Sequence, residues 1–444
     1  MSNIIKIKKG LDIPLEGVAA GNVTSDDSTA LFGIVPDDFP GYTWKAAVKA
    51  GDSVMCGDPL LFAKEDDRLC LTSPVAGTVR EIHRGERRKI EFVSVAKEGE
   101  EIQKDFGKPA DRNARFEMLL RSGLFAMMRQ RPFDIVPFIG SKPRDIFVTA
   151  FDSAPLAAEM LTQDMMSDLE SGLKALSDFT DGKIYLSVKA GSGVTSNVAE
   201  VYEFAGPHPA GNVGTQIAAI SPVNKGETVW TLDAVTAARI GAFFNRGKLD
   251  YTAYVALTGP DMKNPHIVKT TIGASLGSLL DGELDHSHGK IRVISGNVLT
   301  GVRVDWKEGF LQYPYRQISA IDEGDQTDEF MGWASLSPKK YSVSRAFPAF
   351  LRGLSKPFHF DARIKGGHRA MIMSGEYDKV FPMDIYPEYL IKAIMAKDIE
   401  KMEQLGIYEV APEDFALPEF VDTSKIELQK TVREGLDYLR KETL

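Results

Sequence analysis

Cysteine is almost missing from this chain: of 444 residues, only Cys56 and Cys70 carry a thiol. A disulfide framework is not expected, and a lone pair of thiols fits a reducing compartment. Iron–sulfur ligation takes about four cysteines per cluster, so clusters are excluded as well. An excess of positive charge is also missing. With 62 acidic against 53 basic residues the net charge is −9 and the isoelectric point lies near 5.5, which removes the basic surface that a nucleic-acid backbone requires. Long apolar runs are absent too. The stretch from Phe204 to Asn224 lacks Asp, Glu, Lys and Arg, but three prolines and several glycines interrupt it, so the chain is expected not to span a membrane. The lysine-rich start from Met1 to Gly10 meets Asp12 and Glu16 rather than an apolar signal-peptide core.

What is present is ordinary globular material, 43% hydrophobic and 26% charged. A chain this long is expected to divide into several domains. Residues 1–110 read as short strands broken by Gly, Pro and Asp. Val48 to Phe62 (VKAGDSVMCGDPLLF) and Ser73 to Ile82 (SPVAGTVREI) pack branched residues around glycines, as the two halves of a biotinyl/lipoyl-like barrel-sandwich hybrid would. The candidate carrier lysine between the halves is Lys64. Glu65, Asp66 and Asp67 follow it, where carriers place methionine-like neighbours, so no covalent cofactor is expected.

Residues 111–258 alternate strands with helices after a polar linker around Lys108 to Arg115. Arg144 to Phe151 is a strand run, Leu169, Leu173, Leu176 and Phe179 share a helical face, and Lys183 to Val188 is again a strand. A second unit runs from Val229–Leu232 through a helix over Ala234–Arg246, stopped by Gly247, to Tyr251–Leu257. This is a Rossmann-like α/β domain with a mainly parallel sheet. Its nearest approach to a dinucleotide fingerprint is Gly191, Gly193 and Ser196, which leads into a strand-like segment and reads as a glycine-bearing surface loop.

Residues 259–305 hold strand, short helix and strand (His266–Thr271, Ala274–Asp281, Ile291–Ile294), a small β-grasp, SLBB-like module. In residues 306–444, hairpins are expected over Phe310–Ile321, Phe330–Leu336 and Tyr341–Phe347, followed by helices near Pro387–Met402 and Lys425–Lys441. Glu283, Asp285, His286 and His288 could offer metal ligands, but Asp-His-Ser-His-Gly before a strand reads more simply as a polar turn. No G-x-S-x-G elbow or HExxH helix occurs.

The segment Gly206 to Thr215, GPHPAGNVGT, resembles the A-type subunits of the sodium-translocating NADH:quinone oxidoreductases. Other strings agree in the same order: IKKGLDIPLEG from Ile7, TSPVAGTVREIHRG from Thr72, RQRPF from Arg129, FVTAFDSAPLAAE from Phe147, TIGASL from Thr271, ISGNVLTG from Ile294 and MGWAS from Met331. The resemblance implies a peripheral subunit on the cytoplasmic face of the bacterial inner membrane, docked on integral membrane subunits. It implies no redox cofactor or metal of its own, with NAD used by the complex rather than by this chain. Two departures are visible. Relatives carry C-terminal cysteines in a pattern like LCxFVCPxK, where this chain has LPEFVDTSK with Pro418 and Asp422. They also continue GTHIHF after the GPHPAG segment, where this chain runs from Gly214 to Ala219 without a histidine.

The resemblance further implies contact with a quinone, through Arg129, Arg131, Pro132 and Phe133 and more loosely through Leu31 to Gly41. Arg129 and Arg131 could donate to quinone carbonyls while Phe125 and Phe133 wall the ring. Equally, the arginines could pair with acids at a domain junction while both phenyl rings are core. His208, between Pro207 and Pro209, is either a donor to quinone or to a neighbour, or a histidine bonded within a rigid loop. A rival reading of the whole chain is a scaffold whose cofactor pockets have decayed.

Overall fold

The computed structural model describes residues 3–325, 340–343 and 356–443. Its barrel-sandwich pairs a four-stranded sheet, in the order Leu31–Ile34, Ile90–Lys97, Gly77–Arg84, Ser53–Val54, with a three-stranded one, Trp44–Ala46, Pro59–Ala63, Cys70–Thr72. Leu60, Leu61, Leu69, Val79, Val93 and Val95 fill the space between them. Lys64 stands exposed in the turn after Pro59–Ala63. The linker expected around Lys108–Arg115 is already helical from Arg112, because the Asp111 side chain caps the helix Arg112–Ser122 by accepting from Ala114 N.

The α/β sheet runs Asn3–Lys6, Glu200–Ala205, Ile184–Lys189, Ile146–Thr149, Val229–Asp233, Arg129–Arg131. The first five strands are parallel and Arg129–Arg131 closes the edge antiparallel. Alternation decides which face each residue serves. Phe147, Tyr185 and Val229 join a small core with Ile217 of the helix Val213–Ile220, whereas Ile146, Val148 and Leu186 face the main core shared with the helices Met166–Leu176 and Ala234–Arg246. Leu169, Leu173, Leu176 and Phe179 are buried, as their spacing predicts. Those two helices cross at two glycines: a Cβ on Gly172 would lie 1.9 Å from the Ala237 carbonyl oxygen, and one on Gly241 1.9 Å from that of Asp168.

One strand leaves the sheet to which its sequence assigned it. Thr252–Thr258 belongs to a second six-stranded sheet, Val302–Val304, Ile291–Ser295, Gln317–Asp322, Thr252–Thr258, His266–Thr271, Ala20–Ser25. There it forms an antiparallel pair with His266–Thr271 and a parallel one with Gln317–Asp322. The nearby His266–Thr271 and the distant Gln317–Asp322 together override the local strand–helix–strand pattern. The same pairing undoes the hairpin expected over Phe310–Ile321, of which Gln317–Asp322 alone is a strand. The hairpin expected at Phe330–Leu336 lies outside the described residues, as does Tyr341–Phe347 beyond residue 343.

The C-terminal region is helical around its own core of Leu390, Ile391, Met402, Phe415, Val432 and Leu436. The helix expected over Pro387–Met402 is two, Pro387–Met395 and Ile399–Gln404. Lys397 at φ 54° breaks the first, and Asp398 caps the second by accepting from Lys401 N. No described helix is long and apolar enough to cross a membrane.

Candidate functional site

Ile146–Thr149 and Val229–Asp233 are neighbours, yet the chain leaves the first for Ile184–Lys189 in the same sheet and the second, through the helix Ala234–Arg246, for Thr252–Thr258 in the other sheet. The strand after Ile146–Thr149 lies on one side of it and Val229–Asp233 on the other. Such a reversal of strand order opens a crevice beyond the strands' C-terminal ends. A cavity of about 280 Å³ lies there, lined by Thr149–Asp152, His208, Asp233–Val235, Tyr315 and Glu413. The loop after Thr149 covers it with Ala154, Ala157, Met160 and Leu161, and exposed Asp152, Glu159 and Pro314 stand at its mouth. Three of the strings that carry the family resemblance converge here, FVTAFDSAPLAAE, GPHPAGNVGT and ISGNVLTG, the last through Gly296, Asn297 and Thr300.

His208 is the buried imidazole of this wall, 2% exposed. Its backbone N donates to Asp12 Oδ1 at 2.9 Å, which ties the loop to the N-terminal segment. Its Nδ1 lies 3.0 Å from Ser153 Oγ, and that oxygen accepts from Gly211 N at 2.8 Å. The serine hydroxyl is thereby free to donate to Nδ1. When it does, the ring proton sits on Nε2, which has no hydrogen-bond partner; in the other tautomer Nδ1–H donates to the serine instead. Burial lowers the imidazole pKa to about 4, so the ring is neutral at physiological pH.

Acid surrounds the far side. Arg131 on the edge strand donates to Asp414 at 3.0 Å and to Glu413 at 2.8 Å. Asp414 also accepts from Ala411 N at 2.8 Å, and its Oδ1 is buried without a partner. Burial pushes both carboxyls upward against the pull of Arg131. Opposite them, Asp233 caps the helix Ala234–Arg246 by accepting from Thr236 N, and Arg316 pairs with it at 2.5 Å. Burial would raise the Asp233 carboxyl, but Arg316 and Thr236 hold it below the usual aspartate range.

A phosphate-binding crevice of this type keeps a glycine-rich turn and a free helix N-terminus at this place. Here Ala150 to Thr162 contains no glycine, and Asp233 occupies the helix N-terminus. Gly191 and Gly193 sit elsewhere, in the exposed loop between Ile184–Lys189 and Glu200–Ala205. Nor do the described residues contain a cluster of three or more His, Cys, Asp or Glu side chains placed to hold a metal ion. Asp285 instead accepts from Ser287 N at 3.0 Å within a turn.

Of the six residues tied to quinone in the sequence, His208 alone lines the cavity. Phe125 is 0% exposed and packs edge-on against Phe116 and Trp230. Arg129 donates to the carbonyls of Ala126, Met128 and Asp38 and lies 5.8 Å from the Tyr313 ring. Arg131 is 1% exposed. Pro132 follows it through a cis peptide, and Phe133 enters the C-terminal core. Leu31 to Gly41 does meet this segment, since Arg129 donates to the Asp38 carbonyl, and just beyond it Val136 N donates to Pro40 O at 2.8 Å. Asp38 Oδ2 also accepts from Tyr313 N at 2.9 Å, next to Pro314 and Tyr315 of the cavity wall. Sequence reasoning missed Ser153, Glu413, Tyr315 and the pair Asp233–Arg316. The FDSAP string was a signal for Ser153, but nothing local marked Arg316 or Glu413.

Three family models match in order: the NqrA N-terminal barrel-sandwich hybrid domain over 5–98, the NqrA second alpha/beta domain over 110–249 and the NQRA C-terminal domain over 254–305. The A subunit of the Na(+)-translocating NADH-quinone reductase of Rhodopirellula baltica is 36% identical over 453 residues, covering 99% of each chain. The chain belongs to the NqrA family. Its members from Neisseria meningitidis serogroup C and Serratia proteamaculans, both likewise A subunits of Na(+)-translocating NADH-quinone reductases, are 36% and 37% identical, over 99% of this chain and 100% of theirs. Among solved structures, NAD+-reducing [NiFe]-hydrogenase in the air-oxidized state aligns over 74% of this chain and 61% of that one, at a TM-score of 0.38 and 12% identity. That likeness is too distant to speak for the NqrA fold or its site.

Proposed function

We propose that the chain is a peripheral, cytoplasmic-side subunit of a sodium-pumping NADH:quinone oxidoreductase, docked on membrane subunits, and that its switch-point cavity receives a quinone ring. The observation that carries the reading is the unpartnered Nε2 of a neutral, buried His208 in a wall of mainly apolar residues. A quinone offers two carbonyl acceptors on a flat apolar ring. In its Nε2–H tautomer His208 supplies such a donor, in a cavity that Phe151, Met160 and Leu161 also line. Cavity size also fits: about 280 Å³ is near the lower end of small-ligand pockets, with the open mouth left for a tail. Arg131 acts as a positioning residue by holding Glu413 at the cavity edge, and Arg129 by holding the loop that carries Tyr315.

Without a glycine turn or an open helix N-terminus, the crevice suits a dinucleotide poorly. On this reading NADH is oxidised by other subunits, and the chain needs no redox group or metal of its own. The rival reading, a scaffold with decayed pockets, draws on the five quinone-assigned residues engaged in the protein's own framework. Titration of the purified chain with a short-tailed quinone, followed by calorimetry, separates the two. Saturable binding is expected, weakened up to about tenfold by His208→Ala, the worth of one hydrogen bond, and less by His208→Gln. Non-saturating uptake, or equal affinity in parent and His208→Ala, overturns the reading.

A further inference from the structure

The barrel-sandwich ends in a prong. Its longest hairpin joins Gly77–Arg84 to Ile90–Lys97 and turns through Glu86, Arg87, Arg88 and Lys89. Lys89 N donates to Glu86 O at 3.1 Å, and φ is 53° at Arg87 and 62° at Arg88. Two central residues at positive φ make a type I′ turn, whose usual solution is Asn-Gly. Ordinary side chains are strained in that conformation. This turn nevertheless places two arginines there, a local rule broken of the kind that marks functional positions.

Arg84, Arg87 and Arg88 are all exposed, and none is in an ion pair among the described residues. Arg84 Nη1 donates to the Arg88 carbonyl at 3.1 Å, which holds it at the tip. The acids nearby are engaged elsewhere: Glu81 and Glu91 face His83 at 2.9 and 3.6 Å, and Asp37 pairs with Lys89 at 2.6 Å. Glu86 stays exposed on the turn and offsets part of the charge. The prong is anchored from behind, because Ile90 is buried and His83 stacks on Phe92, which meets Phe310.

We propose that this tip contacts the anionic phosphates of lipid headgroups at the membrane surface. From Arg84 to Lys89 the sequence is RGERRK, with no aromatic or aliphatic side chain to serve as the buried anchor that a protein interface needs. Guanidinium forks match phosphate oxygens without such an anchor. A chain of net charge −9 is repelled by an anionic membrane as a whole, so approach requires a local basic point. Nucleic acid offers the same phosphates, but the acidic remainder of the surface opposes so extended a polyanion.

Sedimentation of the full chain with vesicles tests this, using three parts phosphatidylcholine to one part phosphatidylglycerol against pure phosphatidylcholine at low salt. Binding to the anionic vesicles alone is expected, and it falls as salt rises. The variant Arg87→Asn/Arg88→Gly suits the turn better than the parent and so folds at least as well. It should lose binding about 25-fold, at about fivefold per cation removed. Arg87→Lys/Arg88→Lys keeps the charge and should bind within a few-fold of the parent. A parent without preference for anionic vesicles overturns the proposal, as does an Asn-Gly variant that binds like the parent. Loss of complex assembly in that variant with unchanged vesicle binding would assign the tip to an acidic protein partner instead.

Discussion

Arg131 on the edge strand of the α/β sheet and Asp414 in the 3-10 helix Pro412–Phe415, 283 positions later, form a buried ion pair of 3.0 Å. Glu413 shares the guanidinium, so one cation faces two carboxyl groups where the C-terminal helices meet the sheet. A buried pair contributes little net stability, because desolvation offsets attraction, but removing one partner strands the other charge. Arg131→Met should therefore cost about 3–5 kcal/mol in urea unfolding. Adding Asp414→Asn should recover part of that loss, since the two sites are coupled. A single-mutant cost below about 1 kcal/mol would show that the pair is not what joins these elements.

The same carboxyls give stability a pH dependence. Burial raises the Glu413 pKa from 4.5 to about 8 despite Arg131. The folded state therefore holds this proton more tightly than the unfolded chain, so the contribution is complete below the unfolded value and fades as pH rises through about 8. Melting temperature should fall across that window, and Glu413→Gln, neutral throughout, should flatten the fall. A parent and variant with parallel melting profiles would exclude it.

His208 acts in the opposite direction. Its folded pKa is lowered from 6.5 to about 4 by burial, so its contribution is present above the unfolded value and is lost as pH falls through about 4. Titration of the ring by NMR should give a midpoint near 4 and a neutral Nε2–H tautomer at pH 7. A midpoint at the ordinary histidine value would mean that the ring is solvated, and the donor assigned to the cavity would be lost with it.

Gly172 and Gly241 let the helices Met166–Leu176 and Ala234–Arg246 cross backbone to backbone. Alanine is the better helix former by about 1 kcal/mol in an exposed helix, but a methyl on Gly172 would meet a backbone oxygen at 1.9 Å, which cannot move aside as a side chain can. Gly172→Ala should destabilise by about 1–3 kcal/mol through overpacking. An unchanged urea midpoint would show that the helices can separate without cost.

Local patterns carried much of this structure into the sequence. The face of Leu169, Leu173 and Leu176, the helix stop at Gly247 and the strand His266–Thr271 are set by neighbours within a few positions. Pairing between distant segments was not legible. Thr252–Thr258 is a strand by its residues but belongs to another sheet by its partners. The site divides in the same way. His208 stood out because two prolines flank it, whereas Glu413 and Arg316 reach the cavity through the tertiary fold alone. RQRPF drew attention through its arginines, and its charges prove to be answered within the chain by Asp414, Glu413 and backbone carbonyls.

The two thiols offer a probe of how the first domain opens. Cys56 donates to the Pro74 carbonyl at 3.4 Å, and both cysteines are buried. Burial pushes the Cys56 thiol to about 12 and that of Cys70 upward. The reactive species is the thiolate. At about pH 8 it makes up roughly one part in ten thousand of Cys56, so the native protein should label with a thiol dye far more slowly than a free cysteine. In urea both thiols should react at once. Under native conditions the labelling rate then reports transient opening of the barrel-sandwich. Gly172→Ala strains the helix crossing in the α/β domain, so it should leave this rate unchanged if the barrel-sandwich opens as its own unit. Acceleration in step with the loss of global stability would instead show that the two domains unfold together.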